Sequence, residues 1–206
     1  MFIYIITILA GYILGCFQSS FILSKGLKQV DIRNLGNGNA GASNAVISLG
    51  WKFGLLVALL DILKAIISLY LIKYLYYGNV PSSQLTFLLY LNGLFVILGH
   101  NYPFFMGFKG GKGTASLIGM LMMINFSVAI ICIFIIFIIT IITNYIALGT
   151  IGLVIFFVFL TIYLDYGIPS IIISILIAAM SIYKHLPNVK RIREGKEIGL
   201  RKAMKK

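Results

Sequence analysis

The chain has 206 residues, 60% of them hydrophobic and 11% charged, and a mean hydropathy of +1.03. Soluble domains carry about a quarter charged residues, and a chain this short cannot hide so much apolar surface in its own core. Soluble enzyme, disordered tail and disulfide scaffold are therefore excluded, and Cys16 and Cys132, both inside apolar runs, are not expected to pair.

The first segment, MFIYIITILAGYILGCFQSS, has no basic n-region, so a cleaved signal peptide is not expected. The run Ile13-Leu14-Gly15-Cys16 looks like a lipoprotein cleavage box, but the apolar stretch continues beyond it. Residues 2–23 are predicted to form a first membrane span. A Gly/Asn-rich segment covers 30–50. A second span, over 53–76, carries Asp61 and Lys64. An uncharged link at 76–84 leads to a third span over 85–98. Then comes a glycine-rich basic segment, 99–116, followed by apolar sequence to 183. That last stretch has predicted breaks at Asn125, at Thr143-Asn144, at 149–152 and at 165–167.

Charge placement constrains the topology. The net charge is +12, and 184–206 holds nine basic residues against Glu194 and Glu197, while 113–183 has Asp165 as its only charge. The basic segments 25–52 and 109–112 should share the cytoplasmic side with the tail, and the link 76–84 should face out. This places the N-terminus outside and the C-terminus in the cytoplasm. It also requires an even number of crossings between Lys112 and Lys184, so five spans or seven. Because the basic clusters flank membrane spans, no nucleic-acid partner is expected. The expected architecture is an all-α integral membrane bundle forming a single domain over 1–206, with a basic tail at 184–206.

Three segments carry chemistry. Gly36, Gly38 and Gly41 form a G-x-G-x-x-G pattern, but a membrane span precedes it instead of a strand, which excludes the dinucleotide reading. Glycines there allow N–H groups to curl into an anion nest, with Asn37, Asn39 and Asn44 as amide donors. In the second segment, Lys109, Gly110, Gly111, Lys112 and Gly113 lack Walker spacing. Close backbone approach plus two cations before an apolar helix still suits an oxyanion. In the third, His185, Asn188 and Arg191 recur at i, i+3 and share one face if helical, with His185 a base, a phosphate donor or an interfacial residue. Asp61 and Lys64 are expected to neutralise each other inside the membrane, with Lys64 also available to hold neighbouring loops. No cluster of acidic or histidine metal ligands is expected on the basic face.

The strings DIRNLGNGNAGASN, GHNYPFFMGFKGGKGTAS and HLPNVKRIREGKE, in this order and with FGLLVALLDILKA between the first two, resemble the acyl-phosphate:glycerol-3-phosphate acyltransferase family (PlsY-type) of bacterial membranes. The resemblance implies a compact seven-span fold, which selects four short crossings after Lys112. It also implies transfer of a fatty acyl group from acyl phosphate to the sn-1 hydroxyl of glycerol 3-phosphate at the cytoplasmic face. No cofactor, metal or obligate protein partner is implied. By resemblance, Asn37, Lys112, His185 and Asn188 are catalytic. The phosphate binders are Gly36, Gly38, Asn39, Gly41, Asn44, Lys109, Gly110, Gly111, Gly113 and Arg191. The chain departs from the family pattern at Asn37, where serine is usual, and at Ile47, where arginine is usual, with Lys52 or Arg33 as substitutes for the missing charge. The alternatives are a divergent paralogue with another acceptor or only a lipid-binding role, and a small anion transporter.

Overall fold

A computed structural model describes residues 1–204; Lys205 and Lys206 of the predicted tail lie outside the described residues. The described chain is helical: α1 (Phe2–Gly15), α2 (Ser19–Lys28), α3 (Ala42–Leu49), α4 (Trp51–Tyr76), α5 (Ser82–Asn101), α6 (Thr114–Ile124), α7 (Phe126–Thr143), α8 (Ile146–Tyr163), α9 (Ile168–Arg193) and α10 (Leu200–Ala203), with short 3-10 turns at Ile32–Asn34 and Phe104–Met106.

Among the described residues, six segments are long and apolar enough to cross a membrane. The eleven-residue α6 rises about 16 Å, roughly half the hydrocarbon thickness. Seven rods alternate in direction: α1, α4, α5, α6, α7, α8 and α9. At one end, Tyr4 lies beside Gln84 and Phe87, and the Asn125 amide donates to the Tyr166 hydroxyl. At the other end the basic segments converge, with the Tyr12 hydroxyl donating to the Tyr102 carbonyl and Leu200 N–H to the Asn144 carbonyl. An even number of rods thus joins Lys112 to Lys184, as the charge pattern requires.

The rods approach closely where side chains are small. A Cβ on Gly15 of α1 would lie 2.3 Å from the Val96 carbonyl oxygen of α5, and one on Gly119 of α6 equally close to the Ile62 carbonyl oxygen of α4. Such contacts drive helix association where lipid supplies no hydrophobic force. The outer surface is apolar, with Phe134 and Phe137 of α7 exposed, as a lipid-facing helix demands.

Two expectations need correction. The first span is not continuous: it breaks at 16–18, and the freed carbonyls of Gly15 and Phe17 are taken by Lys64 Nζ at 3.1 and 2.6 Å. Nor does 149–152 interrupt α8. Gly149 packs on α7, where a Cβ would come 2.2 Å from Thr140 Oγ1, so its small size serves contact and not a turn. The breaks at Asn125, Asn144 and 165–167 all occur.

Candidate active site

The Gly/Asn loop 35–41 is seated by a small core of Ile32, Ala40, Ala45, Val57 and Met106. Its internal brace is Asn44, which is buried. The Asn44 Oδ1 accepts the Asn37 N–H at 2.7 Å, while its amide donates to the carbonyls of Ile32, Leu35 and Asn39. Gly36 (φ 56°) and Gly38 (φ 72°) are left-handed, as the tight turn requires.

The loop is nevertheless not an open anion nest. The N–H groups of Asn37, Gly38, Ala40 and Gly41 all donate internally, to Asn44 Oδ1, the Leu35 carbonyl, the Gly110 carbonyl and Asn39 Oδ1. Gly36 and Gly38 turn the chain and line neither of the two cavities described below. What the loop presents is the first turn of α3, Ala42, Ser43 and Asn44, whose N–H groups have no intrahelical acceptor. The donors come from a helix end because the glycine turns fold the loop onto itself.

These residues edge a cavity of about 540 Å³ between α3, α4, α6, α8, the end of α9 and the C-terminal segment. Its polar end holds Asn37, Asn39, Gly41, Lys112, Gly113, His185, Asn188 and Glu197. Apolar side chains such as Leu55, Ile62, Ile118, Ile146 and Met204 form most of the rest, with Asp61 and His100 of the cluster behind also reaching its wall. A second cavity of about 560 Å³, lined by Gly110, Gly111, Lys184 and Lys190, shares Asn39 and Lys112 with the first.

Lys112 stands at the junction. Its ammonium hydrogen-bonds Asn188 Oδ1; Asn188 Nδ2 donates to Glu197 Oε1 at 2.7 Å, and Arg191 Nε donates to Glu197 Oε2 at 2.6 Å. Burial lowers the Lys112 pKa to about 8, with the Arg191 and Lys184 charges adding to the effect and Glu197 opposing it. On the buried His185 ring, Nδ1 lies 2.8 Å from the Ser181 carbonyl oxygen, so Nδ1 carries the proton and Nε2 is left as an acceptor.

The expected face of α9 exists, but its members differ in role. His185 and Asn188 reach the cavity, whereas Arg191 lines neither cavity and acts as the counter-ion of Glu197. Lys109 is exposed and also lines neither, because the loop turns at Phe108 (φ 59°) and sends it outward. Glu197 was not foreseen as functional. The available signal was a second carboxylate, three residues after Glu194 and just past Gly195, in a basic tail; Gly195 (φ 67°) folds the chain so that Glu197 N–H donates to the Arg191 carbonyl.

Ile47 lines the cavity as a neutral wall, 6% exposed. Neither proposed substitute supplies charge there. Arg33 is engaged by Asp31 and the Met106 carbonyl, and Lys52 lies over the Trp51 ring. The Arg33 guanidinium holds the Asp31 carboxyl below its usual range.

Behind the site lies a buried cluster. Lys64 Nζ sits 3.0 Å from Asp61 Oδ1 and 2.8 Å from His100 Nδ1, so it both neutralises Asp61 and holds the 15–17 break. The His100 carbonyl accepts the Gly111 N–H at 3.0 Å. The His100 ring lies so close that a Cβ on Gly111 would come 2.1 Å from Nε2. Gly111 is thus needed for close approach to the ring, and the Lys64 cluster sets the height of the 109–113 loop.

A sequence model of the glycerol-3-phosphate acyltransferase family matches residues 5–195. Glycerol-3-phosphate acyltransferase 1 of Oceanobacillus iheyensis is 46% identical over 195 residues, covering 94% of this chain and 93% of the relative. Glycerol-3-phosphate acyltransferase of Aquifex aeolicus is 38% identical over 191 residues, covering 92% and 95%. The fold is also similar to solved structures of PlsY, described as an integral membrane glycerol 3-phosphate acyltransferase. Its glycerol 3-phosphate form superposes with a TM-score of 0.85 at 34% identity, covering 96% of this chain and 95% of that one. Its lysophosphatidic acid form gives 0.80 at 31%, covering 98% and 99%. With the match running through the loop, the lysine junction and the α9 face alike, the chain belongs to the glycerol-3-phosphate acyltransferase family.

Proposed function

We propose that this chain transfers a fatty acyl group from acyl phosphate to the sn-1 hydroxyl of glycerol 3-phosphate, releasing 1-acyl-glycerol 3-phosphate and phosphate. The observation that carries this is one cavity, apolar along its length, ending on Lys112, Asn188 and His185 beside the first turns of α3 and α6. Both substrates carry phosphate and one carries a lipid tail. The names of the relatives, and the glycerol 3-phosphate and lysophosphatidic acid forms of the solved PlsY structures, support the same chemistry.

In the step itself, the acceptor hydroxyl oxygen bonds to the acyl carbon and the bond from that carbon to the phosphate oxygen breaks. The hydroxyl proton goes to His185 Nε2, the open acceptor on that ring, or to a phosphate oxygen. The Lys112 ammonium stabilises the departing phosphate charge, with Asn188 orienting it. Acyl phosphate has a good leaving group, so positioning and charge supply most of the catalysis.

The chain is read as a single domain, with its N-terminus outside the cell and the site on the cytoplasmic side of a bacterial inner membrane. The gathering of the basic segments at the site end supports this. The neutral wall at Ile47 favours one alternative, a changed acceptor.

The test uses purified protein in detergent with palmitoyl phosphate and glycerol 3-phosphate, scoring phosphate release and lysophosphatidate. Stoichiometric formation of both is expected. Acyl transfer to another glycerol-type acceptor, with glycerol 3-phosphate silent, would establish the alternative; no acyl transfer at all would overturn both.

A further inference from the structure

The family match ends at residue 195, yet the chain beyond it folds back over the cavity. Two anchors hold it. At the polar end, Glu197 is fixed by Asn188 and Arg191. At the other, Asn144, the left-handed residue that ends α7 (φ 69°), takes the Leu200 N–H on its carbonyl at 2.8 Å and the Arg201 N–H on Oδ1 at 2.9 Å. Gly199 lies so near that a Cβ there would come 2.1 Å from Asn144 Nδ2, so the fit admits only glycine at that point without a shift. Ile198 between these anchors, and Leu200, Ala203 and Met204 at and after the second, line the cavity that Leu55 of α4 and Ile146 of α8 also line. Ala203 is 5% exposed, so the turn is packed on that side, while Met204 is 49% exposed and stands at the cavity rim.

We propose that the segment 197–204 is a wall of the acyl cavity, and that Leu200, Ala203 and Met204 set the length of the acyl chain the protein accepts. This rests on the acyl-phosphate reading above. Helices α4, α6 and α8 give the cavity apolar sides, but they belong to membrane-spanning or buried rods whose spacing is fixed by close packing. The α10 turn is four residues long and is tied down at its start by Asn144 and Ile141, and its side chains change the depth of the cavity without disturbing a rod. Each methylene admitted or excluded is worth about fourfold in binding. A single larger or smaller side chain in this wall therefore shifts discrimination between donors two carbons apart by up to about fifteenfold.

The experiment uses the full chain in detergent with a series of saturated acyl phosphates from twelve to eighteen carbons. It compares Leu200→Phe, Ala203→Leu, Met204→Ala and Asn144→Gly, the last keeping the left-handed backbone while removing the side-chain anchor. The readout is the ratio of kcat/KM between donors, together with protection of each variant from thermal unfolding by each donor. Leu200→Phe and Ala203→Leu are expected to move the optimum to shorter chains, Met204→Ala to longer ones, and Asn144→Gly to flatten the profile. Donor ratios within twofold of the unsubstituted protein in all the variants that fold would overturn the proposal. If the unsubstituted protein turns over no donor, the acyltransfer reading fails separately. The protection series then decides the wall, because a length-dependent shift altered by these substitutions upholds it and an unaltered one removes it.

Discussion

Replacing Lys64 by Met removes the partner of a carboxylate that has almost no access to solvent. The Asp61 and Lys64 side chains are 1% and 4% exposed and their charged atoms are 3.0 Å apart. Without Lys64, Asp61 keeps the Ser19 hydroxyl at 2.8 Å and the neutral His100 ring, whose Nδ1 lies 3.6 Å away, and the Gly15 and Phe17 carbonyls lose their shared donor. Breaking a buried pair from one side costs about 3–5 kcal/mol, a large share of a stability of about 5–15 kcal/mol. The expected loss in Tm is on the order of 10 °C. Asp61→Asn with Lys64→Met removes both charges together. Its cost should fall to about 1–3 kcal/mol, that of the groups left without partners. The two single variants and the double variant, unfolded thermally in one detergent, give the coupling directly; at least about 2 kcal/mol is expected. Because Lys64 also holds His100, against which Gly111 packs, both Lys64 variants should raise the KM for glycerol 3-phosphate. Single effects that simply add in the double variant, or a Lys64→Met protein as stable as the parent, would refute the pairing.

Four further outcomes follow from the same geometry. With Lys112 lowered to about 8 by burial, kcat/KM for glycerol 3-phosphate should fall as pH rises through that value, and Lys112→Arg should move this limb beyond pH 10. A lysine whose folded pKa lies below its unfolded value of about 10.4 makes the fold more stable as pH rises between the two, so activity should drop there without a drop in Tm. Lys112→Met should lower kcat/KM by at least about tenfold, for the loss of a charged hydrogen bond of about 1.5–3 kcal/mol, and an unchanged rate would displace Lys112 from the site. Gly111→Ala should impair acceptor use while Gly26→Ala, at a position with nothing nearby, affects it much less; steady-state KM values for the two decide this. Cysteines at the exposed Lys109 and Lys196 should react only with cytoplasmic reagent and one at Ser82 only with external reagent, and external labelling at 196 would reverse the topology.

Membrane residence, the helical class and the convergence of basic segments at one end were legible in the sequence. They depend on quantities that add along a chain: apolar run length, charge placement and the parity of crossings. His185 and Asn188 were legible as one face because helical periodicity is local, and Lys112 because glycines and a cation before an apolar helix form a local anion-binding pattern. What tertiary structure alone decided is which of these groups remain available. Asn44 braces the loop because the glycine turns fold that loop around its amide. Arg191, on the expected face, is engaged by Glu197, which reaches it only through the left-handed turn at Gly195. The break after Gly15 appears in no hydropathy pattern, because the donor that satisfies its carbonyls lies on α4, 49 residues from Gly15. The acyl-cavity wall at 198–204 likewise depends on Asn144, since two backbone N–H groups must find acceptors and the nearest are more than fifty residues back. Hydrogen-bond satisfaction across distant segments has no period and no composition, and only the folded chain shows it.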